Sequence, residues 1–314
     1  CKLIHWPKKK KKKETAFHYL IPLKRKYFFF RSMKKILLLC LALAVVHEGC
    51  SVENDKTACL HSGYENSFVY KDLTEMNVAS NSIFFMETTC KHEAGVDLSP
   101  RQACSVESAA MMNPHTQVYV VIISSVGNRT WSPVIQRLYE YKNVEIVQVN
   151  LDRLFQNTPL QNFYIEDKIS TSLWPFHHMS DILRLLVLYK YGGTYMDLDI
   201  VVIKSLENLH NYAGAESDTD VGSAIINIDK DHWLSDAAVK ELRDHYDGTA
   251  WIANGVAMLT RLLNNECEQH QGYNEKLTQC RNYSIYPPSY FYPIPYGYWT
   301  DYFNESTAPS TTTK

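Results

Sequence analysis

Glycine and proline are scarce, at 12 each among 314 residues, and no segment repeats another. That excludes collagen-like, solenoid and Gly/Pro-rich low-complexity chains. Long apolar runs are also missing. A spanning helix needs about 20 apolar residues, and the run Ile36–Val46 supplies eleven. No two cysteines stand in C-x-x-C spacing, which argues against a zinc ribbon or a thioredoxin-type redox site. Basic charge is sparse outside the first 35 residues, so the remainder is acidic although the whole carries only −2. No nucleic-acid surface is expected on the folded part. What remains is ordinary globular material, 45% hydrophobic and 21% charged, long enough for one large α/β domain or two small ones.

Residues 1–32 contain no methionine and an unbroken Lys8–Lys13 run, and are read as non-native upstream translation. Met33 opens M-K-K-I-L-L-L-C-L-A-L-A-V-V-H-E-G-C, two lysines and an apolar stretch followed by small or polar residues. Segment 33–50 is therefore read as a secretory signal peptide, with a short signal anchor, and so membrane association through this segment, as the alternative. N-x-S/T sequons at Asn128, Asn282 and Asn304 agree with a secretory route. So do six cysteines beyond the apolar run, at Cys50, Cys59, Cys90, Cys104, Cys267 and Cys280. Grouping near neighbours favours Cys50–Cys59, Cys90–Cys104 and Cys267–Cys280, although six cysteines permit fifteen connectivities.

Residues 51–80 are polar without sustained periodicity and read as a stem or an irregular segment, and 81–305 as the globular domain. Val118–Ser124 and Val144–Val149 are β-rich runs around a helical Pro133–Tyr141, a β-α-β pattern that predicts a parallel sheet. Ser180 is placed to cap a helix ended by Gly192 and Gly193, with a strand directly after. Further on, Gly222–Ile228 reads as a strand, Asp231–Tyr246 as a helix, and Gly255–Asn264 as a short strand or helix. The proline- and tyrosine-rich Tyr283–Tyr302 reads as an extended, ring-packed loop, and 306–314 as a disordered tail.

The chemistry concentrates in Tyr191–Ile203, Y-G-G-T-Y-M-D-L-D-I-V-V-I, which sets Asp197 and Asp199 in an apolar run. A buried carboxylate is costly unless a cation or donor meets it. Residues i and i+2 of a strand share a side, so both can meet one hard divalent ion that keeps positions open for a diphosphate. A solvated strand end is the bland alternative. Asp181 and Arg184 are i, i+3 neighbours on the preceding helix, able to act jointly or merely to serve the helix start and a surface ion pair. His177 and His178, beside Trp174 and Phe176, suit packing or loop hydrogen bonding better than metal ligation. Glu107 reads as a buried structural carboxylate or a donor contact.

Taken together, the blocks I-F-F-M-E-T-T-C (83–90), R-Q-A-C-S-V-E-S-A-A (101–110), M-S-D-I-L-R-L-L-V-L-Y-K-Y-G-G-T-Y-M-D-L-D (179–199), A-N-G-V-A-M-L-T-R (253–261) and P-P-S-Y-F-Y-P-I-P-Y (287–296) resemble the α-1,4-glycosyltransferase family with its DxD sugar-binding motif. The resemblance implies an α/β GT-A fold with a mainly parallel sheet flanked by helices. It also implies a UDP-sugar donor, a glycolipid or glycan acceptor, manganese or another divalent cation on Asp197 and Asp199, retention at the anomeric carbon, and residence in the Golgi lumen. Asp181 and Arg184 inherit donor-sugar contacts from it. Gly192 and Gly193 would let the backbone approach the donor or turn into the strand, and Asn254-Gly255 would line the site or form a turn. Glu216 is a candidate for the acceptor side or the reacting centre. Members continue beyond the Y-x-x-W-x-x-Y-F segment, here Tyr296–Phe303, into a His-x-Trp-Asn-like region. This chain stops at Lys314, so the alternative expectation is a secreted, catalytically impaired protein that binds glycans or nucleotide sugars. A phosphatase reading of D-L-D is disfavoured because Ile200-Val201 replaces the hydroxyl residue usual after the second aspartate.

Overall fold

Three five-residue strands begin the sheet, β1 (Ile83–Glu87), β2 (Val118–Ile122) and β3 (Val144–Gln148), and nearly every position in them is buried. Runs apolar on both faces are what a sheet covered on both sides demands. The computed structural model describes residues 56–303 apart from 66–67, 128–131, 268–271 and 274–275. Five more strands follow, β4 (Gly193–Met196), β5 (Tyr212–Ala215), β6 (Val221–Ile228), β7 (Thr278–Cys280) and β8 (Tyr283–Tyr286), giving the order β3-β2-β1-β4-β6-β5-β8-β7. The sheet is mainly parallel, as expected, with β5 and β8 also running parallel, and it contains antiparallel steps as well. β3, β2, β1 and β4 are parallel, but β6 runs antiparallel to both β4 and β5, and β7 antiparallel to β8, so the sheet is mixed.

Helices cover both faces. They are α1 (Pro100–Met112), α2 (Pro133–Leu138), α3 (Leu151–Phe155), α4 (Gln161–Ile165), α5 (Pro175–Tyr191), α6 (Trp233–His245), α7 (Met258–Cys267) and α8 (Pro288–Phe291). Side chains of β1 alternate between two cores. Phe84 and Met86 join Leu183 and Leu186 of α5, whereas Ile83 and Phe85 join Val106 and Ala109 of α1. Each such buried aliphatic or aromatic side chain contributes about 1.5–3 kcal/mol relative to exposure. α1 starts with a reciprocal cap between Ser99 and Gln102.

Several local expectations change. α5 begins at Pro175 rather than after Ser180, because proline suits the first helical turn, where its missing N–H is not needed. Gly255–Asn264 is helical, a π-turn over Ala253–Ala257 running into α7. The proline-aromatic segment is not wholly irregular. It contains β8, α8 and a 3-10 stretch over Tyr296–Phe303. The described part of segment 51–80 is mostly exposed or half-buried but contributes a few residues to the core. Cys59, Leu60 and Leu73 are fully buried.

The cysteine pairing also differs. Cys59 bonds Cys90, just past β1, and Cys267 bonds Cys280 as expected. Cys104 is disulfide-bonded too, but its partner is not Cys90. Proximity in sequence misled here because the turn Ala58–Leu60 packs into the sheet core beside the end of β1. Asn282 is an exposed turn residue with φ 65°. Asn128, Asn304, Cys50, the leader segments 1–32 and 33–50 and the tail 306–314 lie outside the described residues. Among the described residues no helix is long and apolar enough to cross a membrane.

Candidate active site

β4 is short, and Asp197 and Asp199 stand in the turn directly after it, closed by an Ile200 N–H to Asp197 carbonyl bond of 3.1 Å. The strand-alternation argument for a shared face therefore does not apply to them. Their proximity comes from the turn, which β6 anchors through an Asp197 N–H to Ala224 carbonyl bond of 2.8 Å.

The floor of the site is built from α5. Asp181 and Arg184 are 1% and 2% exposed. The guanidinium of Arg184 lies 3.0 Å from Asp181 Oδ1 and 3.5 Å from Asp197 Oδ1. It also donates to the carbonyl and hydroxyl of Ser223 on β6, and its plane lies 4.6 Å from the centroid of the Tyr195 ring. One buried cation thus ties α5, β4 and β6 together and fixes the first aspartate of the motif. Tyr195 completes this by donating its hydroxyl to Asp197 Oδ1 at 2.5 Å. Burial raises the Asp181 carboxyl to about 7 against the pull of Arg184, with the Asp197 charge adding to the rise. Asp181 Oδ2 is buried and makes no hydrogen bond. A polar atom of this kind calls for a missing partner.

Asp199 presents a contrast. Its side chain is exposed, yet the surrounding walls and then the Asp197 charge raise its pKa, with Arg101 opposing. An oriented carboxylate beside an open one whose charge it disfavours fits a hard divalent cation completed by water and phosphate oxygens. The described residues contain no cluster of three or more His, Cys, Asp or Glu that could hold a metal, so the protein's share of such a site would be these two groups.

The other expected residues divide clearly. Gly255 comes up against the floor, where a Cβ would lie 2.7 Å from Asp181 Oδ1 and 2.9 Å from Ser223 Oγ. Asn254 spends its amide on the loop, accepting from the Asp247 N–H at 2.9 Å and donating to the Asp247 carbonyl at 2.7 Å. Gly192 and Gly193 sit at the opposite end of β4 from the motif. A Cβ on them would lie 2.5 Å from Lys230 N and 2.3 Å from Ser82 O, and their φ values are 72° and 100°. Of the two roles considered, this geometry supports the turn into the strand. Glu216 follows β5, its carboxyl raised by burial and by Asp220. Glu107 is held by Tyr141 at 2.9 Å and Arg137 at 3.2 Å, a structural carboxylate away from the motif. His178 is buried and bonds Ser172 and the Ala250 carbonyl, as packing would have it.

Sequence reasoning missed Ser223 and Tyr292. The Tyr292 hydroxyl accepts the Ala224 N–H at 3.2 Å, and a Cβ on Gly222 would lie 2.4 Å from it. Burial and then the charges of Asp197 and Glu216 raise this tyrosine's pKa, so it lies within electrostatic reach of both. Its only signal in the sequence was membership of the proline-aromatic block.

Two family models cover these elements. The glycosyltransferase sugar-binding region containing DXD motif matches residues 99–220, and the alpha 1,4-glycosyltransferase conserved region matches 227–314. The lactosylceramide 4-alpha-galactosyltransferase of Gorilla gorilla gorilla is 31% identical over 232 residues, covering 72% of this chain and 68% of that protein. The chain belongs to the alpha 1,4-glycosyltransferase family. The corresponding Rattus norvegicus protein is 33% identical over 72% of this chain, which spans 62% of that relative's length. The Homo sapiens alpha-1,4-N-acetylglucosaminyltransferase is 28% identical over 73% of this chain and 67% of its own. As a family member, the chain places its DxD motif at the end of a central strand of a mixed sheet flanked by helices, the α/β layout that the sequence resemblance implied.

Proposed function

We propose that this chain moves galactose or an N-acetylhexosamine from a UDP-sugar to a hydroxyl of a glycan or glycolipid, in α-1,4 linkage and with retention. The observation that carries this reading is the unpaired Asp181 Oδ2, buried beside Arg184 on the floor below the DxD turn. A hydroxyl of the donor sugar supplies the hydrogen bond that atom lacks. Arg184, being saturated by Ser223, Asp181 and Asp197, holds the floor rigid and compensates its charge.

Manganese or another divalent cation, held by Asp199 and Asp197, would neutralise the diphosphate leaving group. Tyr195 and Arg184 keep Asp197 in one orientation, and Tyr292 holds Ala224, to which the motif backbone is bonded. In the transfer, the bond from the anomeric carbon to phosphate oxygen breaks as that to the acceptor oxygen forms. The acceptor proton passes to the departing phosphate. Glu216, its carboxyl raised by burial and by Asp220, is the candidate on the acceptor side. The relatives' names support hexosyl transfer to a glycolipid or glycan. Residence in the Golgi lumen is proposed with it, from the secretory leader, the sequons and the disulfides.

Incubating the purified full chain with UDP-galactose or UDP-N-acetylglucosamine, lactose and manganese tests the reading. UDP release and a trisaccharide product from one donor, both abolished by EDTA, are expected. Neither product nor UDP from either donor would overturn it.

A further inference from the structure

Two tryptophans stand in the open next to the floor of the site. Trp174, just before α5, and Trp251, in the loop after α6, are 45% and 48% exposed, and their rings stack with centroids 5.9 Å apart. Leu173 and Ile252 beside them are exposed as well. Contiguous apolar surface of this kind marks a binding face more often than an idle one. The face is also preformed. Leu173 N–H bonds the Gly248 carbonyl at 2.8 Å, His178 bonds the Ala250 carbonyl at 3.2 Å, and Asn254 latches Asp247.

The tryptophans are continuous with Asp181 Oδ2, the carboxylate oxygen that makes no hydrogen bond. His177 meets Trp251 edge-on at 5.2 Å, and its Nε2 lies 3.8 Å from Asp181 Oδ2. From floor to surface the order is Asp181, His177, Trp251, Trp174, with an atom contact of 3.8 Å and then ring separations of 5.2 and 5.9 Å. Segments 172–177 and 250–252 contain no lysine, arginine, aspartate or glutamate. Burial and the Arg184 charge push His177 down to about 4, so it is neutral at physiological pH. The wall therefore suits an uncharged ligand with an apolar face, and it lacks the basic residues that draw a protein to anionic lipid.

We propose that Trp251 and Trp174 are the acceptor platform, stacking on the C–H faces of consecutive hexopyranoses of a neutral glycan, with His177 lining its passage to the donor at Asp181. This rests on the donor-site reading above. Indole is the strongest ring for such stacking and keeps its N–H free for a hydroxyl.

Saturation-transfer NMR with lactose, on the full chain in the presence of UDP and manganese, tests it. Both tryptophans are surface residues, so Trp174→Ala and Trp251→Ala are expected to keep UDP binding. Each should weaken lactose by about tenfold, and Trp251→Phe should restore most of the affinity, in line with ring stacking. Unchanged lactose binding in both alanine variants would overturn the proposal. So would a parent chain that binds UDP but not lactose, or one whose tryptophans serve phosphatidylcholine vesicles instead. A parent that fails to bind UDP would count against the donor site itself, which separates the two claims.

Discussion

Arg184 carries the largest electrostatic burden of any single side chain at the site, since it is buried among Asp181, Asp197 and Ser223. Replacing it with alanine leaves buried carboxylate charge without its partner, a loss of about 3–5 kcal/mol. Urea denaturation of Arg184→Ala should show that loss, and a change below about 1 kcal/mol would contradict the buried role. Asp181 predicts a pH dependence. Its folded pKa is raised from 3.8 to about 7, so between those values the native state holds a proton that the unfolded chain has released. Stability contributed by this group is therefore full below the lower value and is lost as pH rises through the upper one. Asp181→Asn should flatten the urea midpoint against pH across that window, and an unaltered slope would count against the assignment. The DxD pair and the Asp181/Arg184 pair were legible because charges in apolar runs and i, i+3 spacing are local signals. Ser223 and Tyr292 were not, since their proximity to the motif arises from β6 and α8 packing against β4 and β5, which no short window encodes.

At the level of elements, the turn from α5 into β4 depends on two glycines. Gly193 has φ 100°, and a Cβ there would lie 2.3 Å from the Ser82 carbonyl on the neighbouring chain segment. Gly193→Ala therefore meets both backbone strain and a backbone clash that no rotamer relieves. A destabilisation of about 2 kcal/mol or more is expected in thermal or urea melts, and a neutral effect would refute the close approach. The β-α-β unit from Val118 to Gln148 was readable from its β-rich runs, and α6 from its helical period. The start of α5 was not, because a proline two residues before the histidines admitted both a turn and a first helical residue. The position of the motif, on a turn instead of within a strand, likewise depended on where β6 stops pairing with β4, at Met196.

For the whole molecule, the mixed character of the sheet was hidden for a simple reason. The chain between β4 and β6 determines the direction of β6, and its route over residues 197–220 carries no helical crossover pattern. The same reversal brings Ala224 and Ser223 to the motif, so the antiparallel step in the sheet is part of the site. Cys59–Cys90 ties the first described segment to the end of β1 and belongs to the same long-range order. Family membership was legible from ordered blocks, whereas the assembly of the floor by three elements was visible only once folded. The central claim is a nucleotide-sugar site in which Asp199 and a divalent cation act together above the Asp181–Arg184 floor. Calorimetric titration of UDP into the full chain, with and without manganese and beside Asp199→Ala, tests it most directly. Binding that needs both the metal and Asp199 is the predicted result, and UDP binding of equal strength without either, or none at all, would contradict it.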